Sequence, residues 1–576
     1  MGFVIGTFGP FILSNLDYFY VSKALENYGL NFNDLGYKKD ISVETNLKPK
    51  GFIEILKKPF KIDTLSFKLL QRNIFFQLET ILNDYYNLNI TGPYSIISNP
   101  DTLFSSFDIR IQNALINFIQ TSKIYSFYLE HSNVDLDEIE NLIKFAKEQV
   151  LNDSSIISKD SVISYLSKFN FKNFFYANLV LLNAFLELKE AAKLLKGKDI
   201  NFLYETEFGK VVITDSIMPS DSDFIYINTK GSQNYNKICQ TIIKICAFID
   251  LEGNDKYELD SFSIHSEYGA VFFYDNEGND IYKCLDFCLS STILGISYFE
   301  DNAGNDIYDV GRFSISSSFY GISIFIDNEG DDIYRAINKA LSFSSIWGIS
   351  IFENLKGNDI YYLGRFYEHK PLWKNEFYGF GLGFSTGIRE DIAGGFSYFV
   401  DYEGNDLYNC GTYCISSAYW YSMSVFVDSS GNDRYIGVEY GLGAGIHIAI
   451  SSFFDLEGDD IYIFKSGPSI GSGHDFSIGF FYEKSGNDIY YVSGGIGNSI
   501  ANGLGIFIDH SGNDSYNFTE YHLSCGASQN LNSQREFFGL GLFIDISGND
   551  DYPSQSKCKN NSFWRLGDIG IGYDGE

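Results

Sequence analysis

The chain has 576 residues, 45% hydrophobic and 17% aromatic, with 42 Lys plus Arg against 74 Asp plus Glu for a formal charge of −32. That length is too great for one compact core, so at least two structural units are expected. The acidic balance argues against DNA or RNA as a partner, because nucleic-acid binding rests on neutralising phosphates, and it favours cations instead.

Residues 1–13 are apolar but carry no Lys or Arg, are broken by Gly and Pro, and lack a small-residue cleavage pattern, so they do not read as a signal peptide. Helical spacing appears at 64–88 (Leu65, Leu69, Phe76, Ile81) and at 107–130 (Ile111, Leu115, Phe118, Tyr125). An acidic first turn at Asp135 opens a third helix, and residues 172–195 form a fourth that ends before Gly197, where a C-cap glycine belongs. The longest apolar stretch, 174–188, contains Asn178 and Asn183 and falls short of the ~20 residues of a bilayer span, so it predicts a buried helix and no membrane span. Residues 1–200 are therefore expected to form an α-helical domain.

From Asn228 onward the chain repeats itself. The glycine of a D-x-x-G-N-D-x-Y motif recurs at Gly253, 278, 304, 330, 357, 404, 431, 458, 486, 512 and 548, mostly 25 to 28 residues apart, with a degraded copy at residues 228–235. The two longer intervals, 47 and 36, mark insertions near 362–394 and 517–536. Five residues before each glycine stands Phe, and four after it stands Tyr, a structural source for the aromatic excess. Nine before comes Gly or a small residue, as a tight corner or close backbone approach requires. Segments such as 322–326 between corner and motif read as strands.

A period of about 26 residues is too short for a propeller blade and suits a three-sided parallel β-helix. The fold class is thus α+β with two domains: the helical 1–200, able to cap the first coil, a β-solenoid of about 11–12 coils over 201–552, and a C-terminal cap at 553–576. In such a stack each Phe or Tyr column becomes a ladder of rings about 4.8 Å apart. The strand face bearing Ile296, Ile322, Ile349 and Ile450 is apolar as well, and predicts a second layer or a homo-oligomer contact.

The segment G-N-D-x-Y, as at residues 304–308, resembles the turn of RTX calcium repeats. That resemblance implies Ca²⁺ at Asp255, Asp280, Asp306, Asp332, Asp359, Asp406, Asp433, Asp460, Asp488, Asp514 and Asp550. The sequence departs from the family in having Asp for the first Gly (Asp250, Asp327), a longer period, and Lys356 within one turn. It is also similar to bacterial proteins with such repeats behind a helical domain, a likeness that implies no activity. Stacked carboxylates about 4.8 Å apart suit Ca²⁺, while Asx-turn chemistry alone explains the same motif without metal.

The insertion at 362–394 gathers Arg365, His369, Lys370, Trp373, Lys374, Glu376, Arg389, Glu390 and Asp391, the candidate ligand-binding residues, with a protein or polysaccharide as the candidate partner. Two G-x-S-x-G matches, at Ser385 and Ser469, lack the strand-turn-helix context of a hydrolase. The eight cysteines contain no CxxC and read as isolated thiols, so a reducing, cytoplasmic interior is expected, with a secreted or surface location as the alternative. With no complete catalytic constellation, the sequence favours a non-catalytic scaffold or interaction protein, and a carbohydrate-binding or carbohydrate-degrading β-helix is the alternative.

Overall fold

The computed structural model describes residues 11–37, 47–95, 104–239, 245–370, 373–529 and 539–575. The reading of residues 1–13 therefore falls almost wholly outside the described residues. Eight helices in the amino-terminal region are followed by a parallel β-solenoid of about 12 turns, each of about 27 residues. The chain forms two compact units. The first comprises Thr91–Phe384 and Gly395–Cys410, and the second Met1–Ile90, Ser385–Gly394 and Gly411–Glu576.

Each regular turn contributes three strands to three parallel sheets, for example Ile296–Asp301, Ile307–Val310 and Ser317–Phe319. The register is residue for residue: Phe299 faces Phe325, Asp301 faces Asp327, and Tyr308 faces Tyr334. The aromatic ladders follow from that register. Phe centroids are 4.5–5.3 Å apart, and Tyr centroids 4.6–5.0 Å. The degraded copy is the first coil, since Tyr235 stacks on Tyr257 at 5.0 Å. The motif glycine is required by close approach: a Cβ on Gly304 would fall within the carbonyl of Gly278. The residues preceding the corner glycines were not foreseen as unusual. Tyr268, Leu294, Tyr320 and Trp347 all hold positive φ, between 51° and 57° or at 60° for Leu294. Each costs about 1–2 kcal/mol as a left-handed residue, and the Leu294 and Tyr320 N–H groups recover hydrogen bonds to the next coil, at Phe319 O and Ile346 O.

The helices lie against the outer strand face. In the first unit Phe185, on helix Phe171–Ala192, stacks on Phe272 at 4.8 Å, and Lys189 ion-pairs with Glu300 at 2.6 Å. In the second, Phe60 meets Phe480 edge-on and the Tyr482 hydroxyl donates to Asp17 at 3.2 Å. Ile296, Ile322, Ile349 and Ile450 are completely buried, and on the same face Phe272 and Tyr298 pack against Phe185 of a helix, the second layer that was one of the two expectations. The apolar 174–188 stretch is indeed a buried helix, and none of the described helices is long and apolar enough to cross a membrane. The helix expected over 64–88 is divided: Lys61–Leu69 ends, and Asn73 caps a new helix by accepting from Phe76 N–H at 3.0 Å.

In the first unit the sheet begins with an antiparallel strand, Asn201–Thr206 on Gly209–Thr214. At the other end Ser562–Arg565 runs antiparallel to Gly570–Asp574. The cysteines overturn the expectation of isolated thiols. None is free, and Cys239–Cys246, Cys284–Cys288 and Cys525–Cys558 are disulfides with Cα atoms 5.7, 6.5 and 6.6 Å apart. The fold brings these positions together at spacings that no metal or thioredoxin motif uses.

Candidate metal centre

The motif D-x-x-G-N-D places two aspartates of one turn on the same corner. The second aspartate of each copy is the residue predicted from the turn resemblance. Its Oδ1 accepts a backbone N–H from the neighbouring coil: Asp280 N–H to Asp306 at 2.5 Å, Asp306 N–H to Asp332 at 2.6 Å, Asp460 N–H to Asp488 at 2.7 Å. The exposed residue before it does the same in the opposite direction, as Asn305 N–H donates to Asn279 Oδ1 at 2.7 Å. These bonds tie each coil to the next and use one oxygen of each carboxylate. The other oxygen is left over. Oδ2 of Asp255, Asp280, Asp306, Asp332, Asp460, Asp488, Asp514 and Asp550 is buried without a hydrogen-bond partner.

The first aspartate of the motif is a second column that the sequence reading treated only as a departure from a known pattern. In Asp275, Asp301, Asp327, Asp455, Asp509 and Asp545 one oxygen accepts from the Tyr ladder: Tyr308 and Tyr334 hydroxyls donate to Asp327 Oδ2 at 2.8 and 2.7 Å, and Tyr462 to Asp455 at 2.9 Å. Oδ1 of each is again buried and unpartnered. The signal was in the sequence: among the eleven full copies the position three before the glycine is acidic in all but one, where Asn354 stands.

The two columns meet. Asp255, Asp275 and Asp280 have carboxylate oxygens within 4.8 Å of one another, as do Asp280, Asp301 and Asp306, then Asp306, Asp327 and Asp332, and further along Asp359, Asp401 and Asp406. Consecutive groups share a residue, so Asp280 and Asp306 each belong to two. Burial first, then the carboxylates of Asp327 and Asp332, push Asp306 up to about 10. Burial and the charges of Asp327 and Asp359 push Asp332 up to about 11. In the second unit burial and Asp488 raise Asp460 to about 8, and burial and Asp509 raise Asp488 to about 9. Carboxylates so placed hold either protons or cations between them.

One coil shows what relieves the repulsion. Where Asn354 replaces the first aspartate, its Nδ2 donates to Asp359 Oδ2 at 2.7 Å and to the Tyr361 hydroxyl at 3.0 Å. The first column is closed by an amide at its start as well, with Asn228 Nδ2 donating to Asp250 Oδ1 at 2.9 Å.

The insertion residues do not gather at this centre. Arg365 approaches Asp309 at 3.9 Å, His369 is buried edge-on against Tyr378, Lys370 borders a cleft, and Trp373 and Lys374 lie further along the same loop of the first unit. Arg389 and Asp391 belong to the second unit, where the Arg389 guanidinium lies over Trp420 and donates to the Tyr419 hydroxyl. The second insertion is described only up to residue 529, the rest lying outside the described residues. Ser385 and Ser469 are completely buried. A Ser–His–Glu group was not foreseen: His265 lies 2.7 Å from Ser291 Oγ and 3.3 Å from Glu267, which also ion-pairs with Lys147. All three of its members are sealed from solvent, so no substrate reaches them.

No family model, curated protein or solved structure matches the chain.

Proposed function

We propose that this protein is a non-catalytic β-solenoid scaffold whose coils are stapled by Ca²⁺ held between the two aspartate columns. The observation that carries the reading is the set of buried carboxylate oxygens, three residues to a group within 4.8 Å, left over after turn and tyrosine hydrogen bonding is complete. Hard oxygen donors exclude a preference for zinc, whose structural sites use thiolates and imidazoles. Ca²⁺ accepts irregular oxygen sets, whereas Mg²⁺ demands near-ideal octahedra and gives up its water reluctantly, which a buried corner disfavours. Asp255, Asp275, Asp280, Asp301, Asp306, Asp327 and Asp332 would hold ions in the first unit, and bound ions would supply the positive charge that the columns lack. The paired cysteines favour an oxidising, extracellular or cell-surface location, where calcium is abundant.

The test is a thermal melt of the full chain in EDTA, in millimolar magnesium and across a calcium titration, with metal per chain measured by plasma mass spectrometry. A melting temperature that climbs with calcium and not with magnesium, with several calcium ions per chain, supports the reading through linkage. Identical melts in all three media, with no retained calcium, sink it.

A further inference from the structure

In the first unit the three sheets of the solenoid are not covered alike. Strands of two of them are buried on both sides, as in Ile296–Asp301 and Ser291–Ile293. In the third, burial falls on alternate residues only, through Lys256–Leu259, Ile281–Cys284, Ile307–Val310, Ile333–Ala336 and Ile360–Leu363. Such alternation marks a sheet with the coil interior on one side and water on the other.

Two columns point outward from that face. Register aligns Ile281, Ile307, Ile333 and Ile360 in one, a partly exposed apolar stripe. In the other it aligns Glu258, Lys283, Asp309 and Arg335, whose charges alternate from coil to coil at about 4.8 Å. Neighbours on the chain do not use up these charges. Glu258 pairs with Lys256 at 2.5 Å and Asp309 meets Arg365 only at 3.9 Å, while Lys283 and Arg335 make no hydrogen bond or ion pair among the described residues.

The order of the charges selects an occupant. A second copy turned by 180° about an axis parallel to the strands has its coils in reverse order, with each column still opposite itself. Glu258 then faces the partner's Arg335 and Lys283 faces the partner's Asp309, so every charge of the column meets its opposite, and Ile281 meets the partner's Ile307. Elsewhere two copies repel, since the chain carries −32, but these four charges sum to zero. The six strands from Asn234–Tyr235 to Ile360–Leu363 offer a patch of about 29 by 13 Å, roughly 400 Å² per copy, which suits a weak, reversible contact.

We propose that this face joins two copies of the chain, packed sheet against sheet with their solenoid axes antiparallel. The contact is separate from the aspartate columns, whose carboxylates lie inside the corners. Its test is sedimentation velocity of the full chain in calcium from about 5 to 300 µM, with Glu258→Arg, Arg335→Glu and the double substitution. The parent's sedimentation coefficient rises toward that of a dimer, with a Kd of about 10–300 µM. Each single reversal sets like charges against each other at two places in the contact and weakens it at least tenfold, and the double substitution restores it to within about threefold. The substituted side chains are partly exposed, so melts by circular dichroism should show all the variants folded. A chain that stays monomeric over the whole range overturns the proposal. So does association that ignores the single reversals, which would place it on another surface, or a folded double variant that does not recover it.

Discussion

Replacing Asp306 by Asn changes a residue that belongs to two groups, Asp280–Asp301–Asp306 and Asp306–Asp327–Asp332. Asparagine keeps Oδ1 as acceptor for Asp280 N–H. It exchanges the unpartnered Oδ2 for an amide that donates to a facing carboxylate, as Asn354 does to Asp359. Without calcium Asp306, pushed up to about 10, holds its proton at neutral pH, so the substitution exchanges one neutral donor for another and changes stability by less than about 1 kcal/mol. With calcium at a hundredfold excess over its Kd it removes two sites worth about 2.7 kcal/mol each, a loss of roughly 5 kcal/mol. The variant should melt close to the parent in EDTA and well below it in calcium. Melting curves by far-ultraviolet circular dichroism in both media decide it. A shift of the same sign and size in both refutes the idea that these carboxylates await a cation.

Further outcomes are as definite. Tyr308→Phe deletes a hydroxyl that donates to Asp327 at 2.8 Å. It should cost about 1.5–3 kcal/mol in urea denaturation, whereas Phe at exposed Tyr491, whose side chain is 48% accessible, should cost almost nothing. Gly304→Ala places a methyl within the Gly278 carbonyl and should abolish soluble expression or lower stability by more than about 4 kcal/mol. Cys525→Ser with Cys558→Ser opens a loop of 33 residues and should cost about 3–4 kcal/mol by chain entropy, with no thiol titrated in the denatured, unreduced parent. Burial pushes Asp63 up to about 6, despite hydrogen bonds from the Tyr18 hydroxyl and two backbone N–H groups. Because this lies above the unfolded value of about 3.9, the neutral form is favoured in the fold. Asp63 therefore contributes most below that value, and its contribution falls as pH rises to about 6. The stability difference between Asp63→Asn and the parent should grow over that window, and a constant difference would refute it.

The solenoid was legible because its information is columnar. A Phe, a Gly, an Asp and a Tyr at fixed offsets determine both the period and the register, and Phe299 opposite Phe325 is a direct consequence. The predicted half of the metal centre was legible for the same reason. The other half, Asp275, Asp301 and Asp327, was present in the motif but hidden by its chemistry, since aspartate before a turn needs no metal to explain it. Disulfides were missed because the proximity of Cys525 and Cys558 is created by the coil and not by spacing along the chain. Helix placement was beyond reach in a different sense. The apolar side of Phe171–Ala192 announces burial, while the identity of the surface that buries it, Phe272 and Tyr298, is a tertiary fact.

The second unit is built from segments far apart in sequence. Lys23 meets Tyr573 across 550 residues, Tyr28 donates to Trp564 O across 536, and Asp17 receives His510 at 2.6 Å. During synthesis at ~5–20 residues per second, helix Asn15–Glu26 emerges from the ribosome roughly half a minute to two minutes before the coils it rests on exist. Until then only its local contacts, such as Tyr18 with Phe32 and Phe60, can form, and contacts of high order are slow to form once both sides are present. The burden of keeping this chain from aggregating thus falls on its earliest helices, and a chaperone that holds them, more than any change in the solenoid, should govern the yield of folded protein.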